Sequence, residues 1–377
     1  MAKHLKRNPK QNKLKSLFSA ALAIPGLGLA SSGQAQSMPD APIIRIRYAD
    51  YKDYQSGKED RMTIQAPMVS LQTPISESDV LEASFTYDSV SGASPYYLST
   101  LSGASGIGVN DIRRAGDVKL THFFDGFNIG VGGRVSDEDD FLSRGGLIDA
   151  HIWTPDKNTT FTLGFSLDED DISSSIQSDF NETRRSEGYL FGITQVLDAN
   201  SIVQSNFNYA HASGYQSDPY KTLDNRPSTR DAWSLMNRYN LFFPELEASL
   251  HVDYRFFIDS WGIKSHMLEV AWYQPFGNNW MVRPSVRYYS QSAAQFYEGD
   301  FPPQEPNQFF SADQRMGNFG SIGGGLKLIR ELGRGFSADI SFESFLQTPG
   351  LKLGNGPSND VKDFYAAFFS VGVSKKF

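Results

Sequence analysis

Long runs of strictly alternating apolar and polar residues constrain this chain more than any other feature. In ELEASLHVDYRFFID, residues 245–259, every second side chain from Leu246 to Ile258 is apolar, and most of the intervening ones are polar. Alternation with a period of two belongs to a β-strand that has one apolar face. The run is longer than the roughly five or six residues of an average strand. It is long enough to cross an outer membrane, which takes a tilted strand about 9–11 residues.

The same alternation recurs along the chain, where short turns alternate with mostly longer polar segments. Short turns are expected at TPISESD, FFDG, TPDKN, LDAN, FPE, PFGNN and ELGRG. Short turns on one rim and long loops on the other are typical of outer-membrane barrels. The sequence therefore predicts an all-β fold: a transmembrane, antiparallel, up-and-down β-barrel of about sixteen strands (14–18), with short periplasmic turns and long extracellular loops.

The chain ends inside such a strand, in FYAAFFSVGVSKKF, residues 364–377. A closed barrel explains this ending, because its last strand pairs with its first and no edge is left free. The ending also resembles the C-terminal assembly signal of outer-membrane barrels, with matches at Ser370, Gly372 and Phe377. Lys375 stands where that signal has an apolar residue. We therefore expect the barrel assembly machinery to be a partner.

The first 35 residues have the composition of a cleavable secretory signal peptide. The basic stretch MAKHLKRNPKQNKLK precedes the apolar stretch SLFSAALAIPGLGLASS, and the small residues Gly33 and Ala35 suit cleavage after Ala35. We expect residues 1–35 to be removed and residues 36–377 to form the barrel in a bacterial outer membrane.

Composition argues against several classes of function. The chain has 377 residues, a formal net charge of −8 and no cysteine. The negative balance argues against general nucleic-acid binding, and the lack of cysteine removes disulfides, zinc–thiolate sites and thiol catalysis. We expect no cofactor, no metal site and no nucleic-acid partner. The expected partners are outer-membrane lipid and lipopolysaccharide, while a homo-oligomer and a periplasmic partner are both left open.

Alternation also assigns charged residues to the barrel interior. An Arg or Lys on the lipid side at mid-depth would cost roughly 2–4 kcal/mol. The expected lumen lining is Arg238, Asp253, Arg255, Glu269, Arg283, Arg287, Asp339 and Glu343. In one interpretation, a water-filled lumen passes small hydrophilic solutes, as a pore or channel does. In the alternative, the charges brace a structural or docking barrel, a sheath or scaffold for a periplasmic or surface partner such as a redox protein.

Two acidic runs and one histidine–serine pair are weaker signals. SDEDD (136–140) and LDEDD (167–171) are predicted to be solvated loop tips at the outer rim. His211 and Ser213 lie two residues apart on one strand face, as the base and nucleophile of a hydrolase could. The sequence offers no third partner for a catalytic triad. We therefore expect no enzymatic activity.

Three segments carry a resemblance to a known family. They are DSVSGASPYY (88–97), DSWGIKSHMLE (259–269) and WMVRPSVRYYSQSAAQFY (280–297), and they resemble the bacterial domain-of-unknown-function family numbered 3570. The resemblance implies an exported, barrel-like protein and adds no substrate or catalytic residue. Small residues before a proline suit a tight turn. The candidate extracellular mouth motif is Asp88, Ser91, Gly92, Ser94, Pro95, Trp261, Gly262 and His266.

Overall fold

The computed structural model describes residues 37–55, 58–92, 110–174, 177–219, 224–298, 308–356, 358 and 361–377. In this part of the chain, sixteen antiparallel strands close into one barrel. The predicted fold class and the predicted number of strands are confirmed. The predicted signal peptide, residues 1–35, lies outside the described residues.

The barrel strands follow one another in chain order around the wall, and the last pairs with the first. They are β1 (Ile43–Gln55), β2 (Lys58–Pro74), β3 (Asp79–Gly92), β4 (Asn110–Phe123), β5 (Phe127–Asp137), β6 (Phe141–Trp153), β7 (Thr159–Ser173), β8 (Asn181–Val196), β9 (Ser201–Gly214), β10 (Thr229–Phe243), β11 (Ala248–Asp259), β12 (Lys264–Phe276), β13 (Trp280–Gln291), β14 (Phe319–Gly333), β15 (Phe336–Thr348) and β16 (Phe364–Lys376). Short 3₁₀ turns lie at Gln314–Met316 and Pro349–Leu351.

Apolar side chains cover the outside of the barrel because successive residues of a strand point to opposite faces. The exposed apolar belt includes Ile46, Val131, Ile148, Phe165, Phe191, Phe207, Leu235, Leu268, Val286, Leu326, Phe342 and Val373. Residues of the other parity are mostly polar, charged or small, and they face the lumen. Among the described residues, no helix has both the length and the hydropathy needed to span a membrane.

The two rims of the barrel differ in the lengths of their connections. The rim that carries the described chain ends has the connections 75–78, 124–126, 154–158, 197–200, 244–247, 277–279 and 334–335. At the opposite, outer rim, long stretches of sequence separate β3 from β4, β9 from β10, β13 from β14 and β15 from β16, while the connections 138–140 and 260–263 are brief. This asymmetry places the short turns in the periplasm, as in other outer-membrane barrels.

One predicted loop tip is part of a strand instead. Asp168 to Asp171 lie in β7 and pair in register with β6 and β8. Arg134 forms an ion pair with Asp168, and Arg184 Nη2 lies 2.8 Å from the carboxylate of Asp170. The prediction of a solvated loop was wrong here, because Arg134 on β5 and Arg184 on β8 neutralise two of the carboxylates and allow β7 to continue.

Aromatic side chains mark both boundaries of the membrane. Tyr189, Tyr209 and Trp233 form a row on β8–β10 toward the outer rim, with successive ring centroids 5.9 and 5.6 Å apart. Near the opposite rim, Phe276 stacks on Trp280 with a centroid distance of 6.1 Å. Aromatic girdles of this kind occupy the two interfaces of outer-membrane barrels.

The last strand closes the barrel along its whole length, because β16 pairs with all of β1. Beyond the pairing, the N–H of Phe377 donates a hydrogen bond of 3.0 Å to the carbonyl of Pro42. The ammonium of Lys375 lies over the rings of Phe336 and Phe377, 4.4 and 5.5 Å from their centroids. The aromatic C-terminal residue is thus held at the rim rather than left to fray.

Candidate functional site in the barrel lumen

Charged side chains lie side by side on the lumen faces of β10–β13. We call Arg238, Asp253, Glu269 and Arg287 the ion row, because the strand register places them next to one another. Arg238 donates from Nε and Nη2 to the two carboxylate oxygens of Asp253, each at 2.7 Å. Arg287 Nη2 lies 2.6 Å from Glu269 Oε2. Each carboxylate therefore has a guanidinium beside it, and such paired contacts are strong and directional.

Glu269 is shared between two arginines. Besides Arg287, it accepts a hydrogen bond of 2.8 Å from Arg283 Nη2. Arg283 Nε donates in turn to the hydroxyl of Tyr273 at 3.0 Å. Glu343, also predicted to line the lumen, interacts electrostatically with Arg283 but forms no ion pair among the described residues. One carboxylate is thus shared by two guanidinium groups, which leaves one positive charge in excess at this place.

Arg255 lies next to the ion row without a carboxylate partner. It is two residues from Asp253 on β11, and its register partners are Met236 on β10 and Met267 on β12. Its Nη2 lies 3.9 Å from the Met236 sulfur. Within the described part of the chain, no carboxylate forms an ion pair with Arg255. Its positive charge is therefore not balanced by a direct contact.

A second set of ion pairs joins strands that are not neighbours, and we call these the crossing pairs. They are Lys119–Asp149 (β4 to β6, 2.7 Å), Arg134–Asp168 (β5 to β7) and Arg47–Asp339 (β1 to β15, 2.9 Å). Asp339 also lies 3.2 Å from the ammonium of Lys327 on β14. Each crossing pair passes over an intervening strand, so one contact fastens three strands together.

A glycine on the intervening strand makes room for each crossing pair. A Cβ atom at Gly130 on β5 would lie 2.5 and 2.8 Å from the two side chains of the pair above it. At Gly372 on β16 the corresponding distances would be 2.7 and 2.9 Å. Gly145 on β6 lies beneath the third pair in the same way. These glycines are required for close approach, since any side chain would displace the ion pair.

The interior wall differs from place to place in its access to water. On β10–β13, the side chains of Arg287, Arg238 and Asp253 are 37%, 22% and 19% exposed. By contrast, Asp149 in the crossing pair between β4 and β6 is 2% exposed. Space that water can reach therefore lies beside the ion row.

Outer connections fold inward over this side of the mouth. Their buried apolar cluster, which we call the outer cap, consists of Trp261, Ile263, Ala294, Phe296, Tyr297, Met316, Phe319 and Val361. Phe257 and Tyr289, on the lumen faces of β11 and β13, pack against it. Gln291 Nε2 holds the cap by donating to the carbonyls of Arg315 and Gly317, at 2.9 and 2.7 Å. The cap thus lies directly above the level of Arg255.

Buried ion pairs tie the β9–β10 connection to the outer cap. Arg226 Nη2 lies 3.0 Å from Asp313 Oδ2, and Arg315 Nη2 lies 3.3 Å from Asp218 Oδ2. Burial alone would lower the pKa of Arg315, but the carboxylates of Asp313 and Asp218 raise it above its ordinary value. The guanidinium therefore stays charged and keeps the two connections joined.

Part of the predicted mouth motif belongs to the outer cap. Trp261 is buried there, and its Nε1 donates to the carbonyl of Thr229 at 3.0 Å. Gly262 has a φ of 88° at the tip of the β11–β12 hairpin, a left-handed conformation that favours glycine. This hairpin therefore contributes its tip to the mouth.

The rest of the motif lies elsewhere. Asp88 is on the lumen face of β3, where Arg113 Nη2 lies 2.7 Å from its carboxylate. His266 points outward from β12, and its Nδ1 is 2.8 Å from the hydroxyl of Tyr254. Ser91 and Gly92 end β3, and Ser94 and Pro95 lie outside the described residues. The motif residues do not meet at one point.

Two residues of the predicted assembly signal lie at the seam where the barrel closes. Ser370 is buried, contacts Ser341 Oγ at 2.8 Å and accepts a hydrogen bond of 2.9 Å from Arg47 Nη1. Gly372 lies beneath the crossing pair of β1 and β15. Phe377, the third residue of the signal, is exposed at the rim. Ser370 and Gly372 therefore also have structural roles in the seam.

Sequence reasoning missed the partner of His211. Its Nδ1 lies 2.9 Å from Asp231 Oδ1, and the hydroxyl of Tyr209 bonds the same oxygen at 2.7 Å. Among the described residues, no hydrogen bond joins Ser213 to His211. The arrangement is a histidine–aspartate pair on the outer face. Only the register of β9 against β10 could have revealed it, because a long connection separates the two residues in sequence.

Similar solved structures include outer-membrane barrels. A bacterial polysaccharide outer membrane secretin has a TM-score of 0.54 at 8% identity, covering 90% of this chain and 100% of that one. OccD3 (OpdP) of Pseudomonas aeruginosa has 0.48 at 8% identity, over 95% and 97% of the two chains. CdiB from Acinetobacter baumannii has 0.49 at 10% identity, over 88% of this chain and 60% of that one. At 8% identity, the likeness to the secretin shows the fold alone.

Family membership follows from a direct match of the sequence. No curated protein matches the chain. The family model described as "Protein of unknown function (DUF3570)" matches residues 14–105 and 101–365. The match covers most of the chain and includes the three segments quoted from the sequence. The chain therefore belongs to the DUF3570 family.

Proposed function

We propose that this protein is an outer-membrane channel that passes small hydrophilic solutes through its charged lumen. The observation that carries the proposal is the ion row, in which the side chains of Arg287 and Arg238 remain 37% and 22% exposed inside a closed barrel. A lumen filled by packed side chains would bury them. Fixed charges beside water select among the solutes that pass.

The proposed function also assigns the barrel its partners in the membrane and during assembly. Membrane lipid contacts the apolar belt, and lipopolysaccharide contacts the outer rim above the row of Tyr189, Tyr209 and Trp233. During assembly, Ser370, Gly372 and Phe377 form the signal that the barrel assembly machinery reads. Association of several copies is compatible with this role.

Single-channel recording of residues 36–377, refolded and inserted into a planar bilayer, tests the proposal. We expect steady conductance from the wild type. In the Arg283→Ala/Arg287→Ala variant, Glu269 loses both guanidiniums that contact it. The lumen charge then becomes more negative, and the anion-to-cation permeability ratio should fall by roughly two- to tenfold.

A control variant removes two arginines from the outside of the wall. Arg144 and Arg185 form exposed pairs with Asp171 and Glu187. Arg144→Ala/Arg185→Ala makes the same change in net charge and should leave the permeability ratio unchanged. A wild-type barrel that is folded, as judged by heat-modifiable migration, and conducts at no voltage would overturn the channel function.

A structural or docking barrel is the second candidate, and the crossing pairs favour it. Each pair fastens three strands, and the burial of Asp149 is what a bracing contact requires. In this role the barrel acts as a sheath or scaffold for a periplasmic or surface partner, such as a redox protein. Wild-type conductance would rule out a purely structural role, whereas a defined partner seated in a non-conducting lumen would support one.

A further inference from the structure

Positive charge is in excess on one side of the lumen, although the whole chain has a formal net charge of −8. The lumen faces of β10–β13 carry four arginines and two carboxylates at this level: Arg238, Arg255, Arg283 and Arg287 against Asp253 and Glu269. Asp253 is bound by one arginine and Glu269 by two. Two positive charges are therefore in excess. One is shared by Arg283 and Arg287 around Glu269. The other lies on Arg255, which forms no ion pair with a carboxylate within the described residues.

The neighbours of Arg255 increase its need for an anion. Met236 and Met267 flank it on the adjacent strands, and a thioether sulfur is only a weak acceptor. Asp253, which is already bound by Arg238, attracts its charge from two residues away, while Arg287 and Arg238 repel it. A guanidinium keeps its proton in proteins, so it cannot escape this repulsion by becoming neutral. An oxyanion that enters the lumen would supply the missing charge-assisted hydrogen bonds.

Arg255 lies between the mouth of the barrel and the ion row. Phe257, two residues further along β11, packs against the outer cap, and so does Tyr289. On the other side lies the ion row, where the side chain of Arg287 is 37% exposed. A solute that passes beneath the cap therefore meets Arg255 before it reaches the paired charges.

We propose that Arg255, assisted by Arg287, forms a lumen binding site for the oxyanion group, carboxylate or phosphate, of a small hydrophilic solute. This inference rests on the proposed channel function and specifies its solute class. The planar fork of a guanidinium matches either group with two parallel hydrogen bonds. Met236 and Met267 provide adaptable apolar surface for the carbon skeleton of the solute.

Three variants separate this site from a general effect of charge. Arg255→Ala removes the fork and the charge, Arg255→Lys keeps the charge alone, and Arg330→Ala removes one charge from the outside of the barrel. Arg330 is a suitable control because it is exposed and lies over the Trp280 ring, 4.7 Å from the centroid, near the periplasmic rim.

Reversal potentials in a potassium chloride gradient and block by citrate or inorganic phosphate are the measurements. Arg255→Ala should lower the chloride-to-potassium permeability ratio by about two- to tenfold, while Arg330→Ala keeps the wild-type ratio. In Arg255→Lys the half-blocking concentration of citrate or phosphate should rise about tenfold, because an ammonium cannot make the bidentate contact. The anion that blocks at the lower concentration identifies the preferred group.

Equilibrium dialysis of labelled citrate and phosphate against the detergent-refolded barrel separates failure of the site from failure of the channel. If the wild type conducts and Arg255→Ala matches Arg330→Ala in selectivity, block and dialysis, the site is overturned and the channel stands. If the wild type does not conduct but Arg255→Ala lowers binding about tenfold, the site stands and the channel is overturned. If there is neither conduction nor a loss of binding, both are overturned.

Discussion

At the scale of single residues, the lumen glycines show how a missing side chain can strengthen a wall. Gly372 and Gly130 each lie under an ion pair that joins the strands on either side. The stabilisation comes from the ion pair, and the glycine contributes only by leaving space for it. The sequence predicted that Asp339 faces the lumen, but the partner of this residue could not be predicted. Arg47 is far away in the chain, and only the closure of the barrel brings the two together.

Replacing Gly372 by alanine should therefore destabilise the barrel. The added methyl would lie 2.7 Å from Asp339 Oδ2, and displacing the ion pair should lower the free energy of unfolding by about 1–3 kcal/mol. Urea unfolding in lipid vesicles measures the change. Gly324→Ala is the matched control, because a methyl there would meet nothing closer than Ser285 O, at 3.9 Å.

Gly130→Ala tests whether the lumen glycines act by making room for the crossing pairs or, in the case of Gly372, through the assembly signal. Gly130 is not in the C-terminal strand, yet its substitution should lower stability to a similar extent, about 1–3 kcal/mol. If Gly372→Ala slows assembly while neither substitution changes the unfolding midpoint, the glycines do not act through the crossing pairs. Gly372 would then serve the assembly signal alone.

At the scale of strands and connections, the outer cap is held by contacts that join two long connections. Arg226→Ala should release it, because Asp224 and Asp313 would both lose a buried partner. Breaking a buried ion pair typically costs about 3–5 kcal/mol. Limited proteolysis should therefore cut residues 308–318 faster, and single-channel conductance should rise. Arg144→Ala, which breaks an exposed ion pair, is the control and should change neither the cleavage rate nor the conductance. Unchanged cleavage in Arg226→Ala would show that the apolar cluster alone holds the cap.

The strands and the short turns of one rim could be predicted from the alternation and the turn residues, whereas the packing of the long outer connections could not. In β11 the lipid and the lumen impose opposite demands on successive residues, so its faces could be predicted from the sequence. The acidic run in β7 was misjudged because Arg134 and Arg184 stabilise it from other strands. Outer-cap contacts, such as that between Gln291 and the carbonyl of Gly317, follow no period and leave no sequence pattern.

At the scale of the whole molecule, the aromatic rows and the cap predict which tryptophans meet lipid. Trp233 belongs to the outward row beside Tyr209, whereas Trp261 is buried in the outer cap. In vesicles of brominated lipid, Trp233→Phe should reduce the quenched part of the fluorescence, because an interfacial indole lies near the bromines. Trp261→Phe should reduce only the unquenched part. If Trp261→Phe instead reduced the quenched part of the fluorescence, the outer cap would lie against the membrane and not over the mouth.

The crossing pair between Arg47 and Asp339 also has a consequence for the order of events during biogenesis. It connects the first strand to the fifteenth over the sixteenth, so its two charges cannot meet while the sheet is still open. Its stabilisation arrives only with the final pairing of the two ends, and reopening must first break it. The ion pair therefore does not help the open sheet to form, but it slows the separation of β1 from β16 once the barrel has closed.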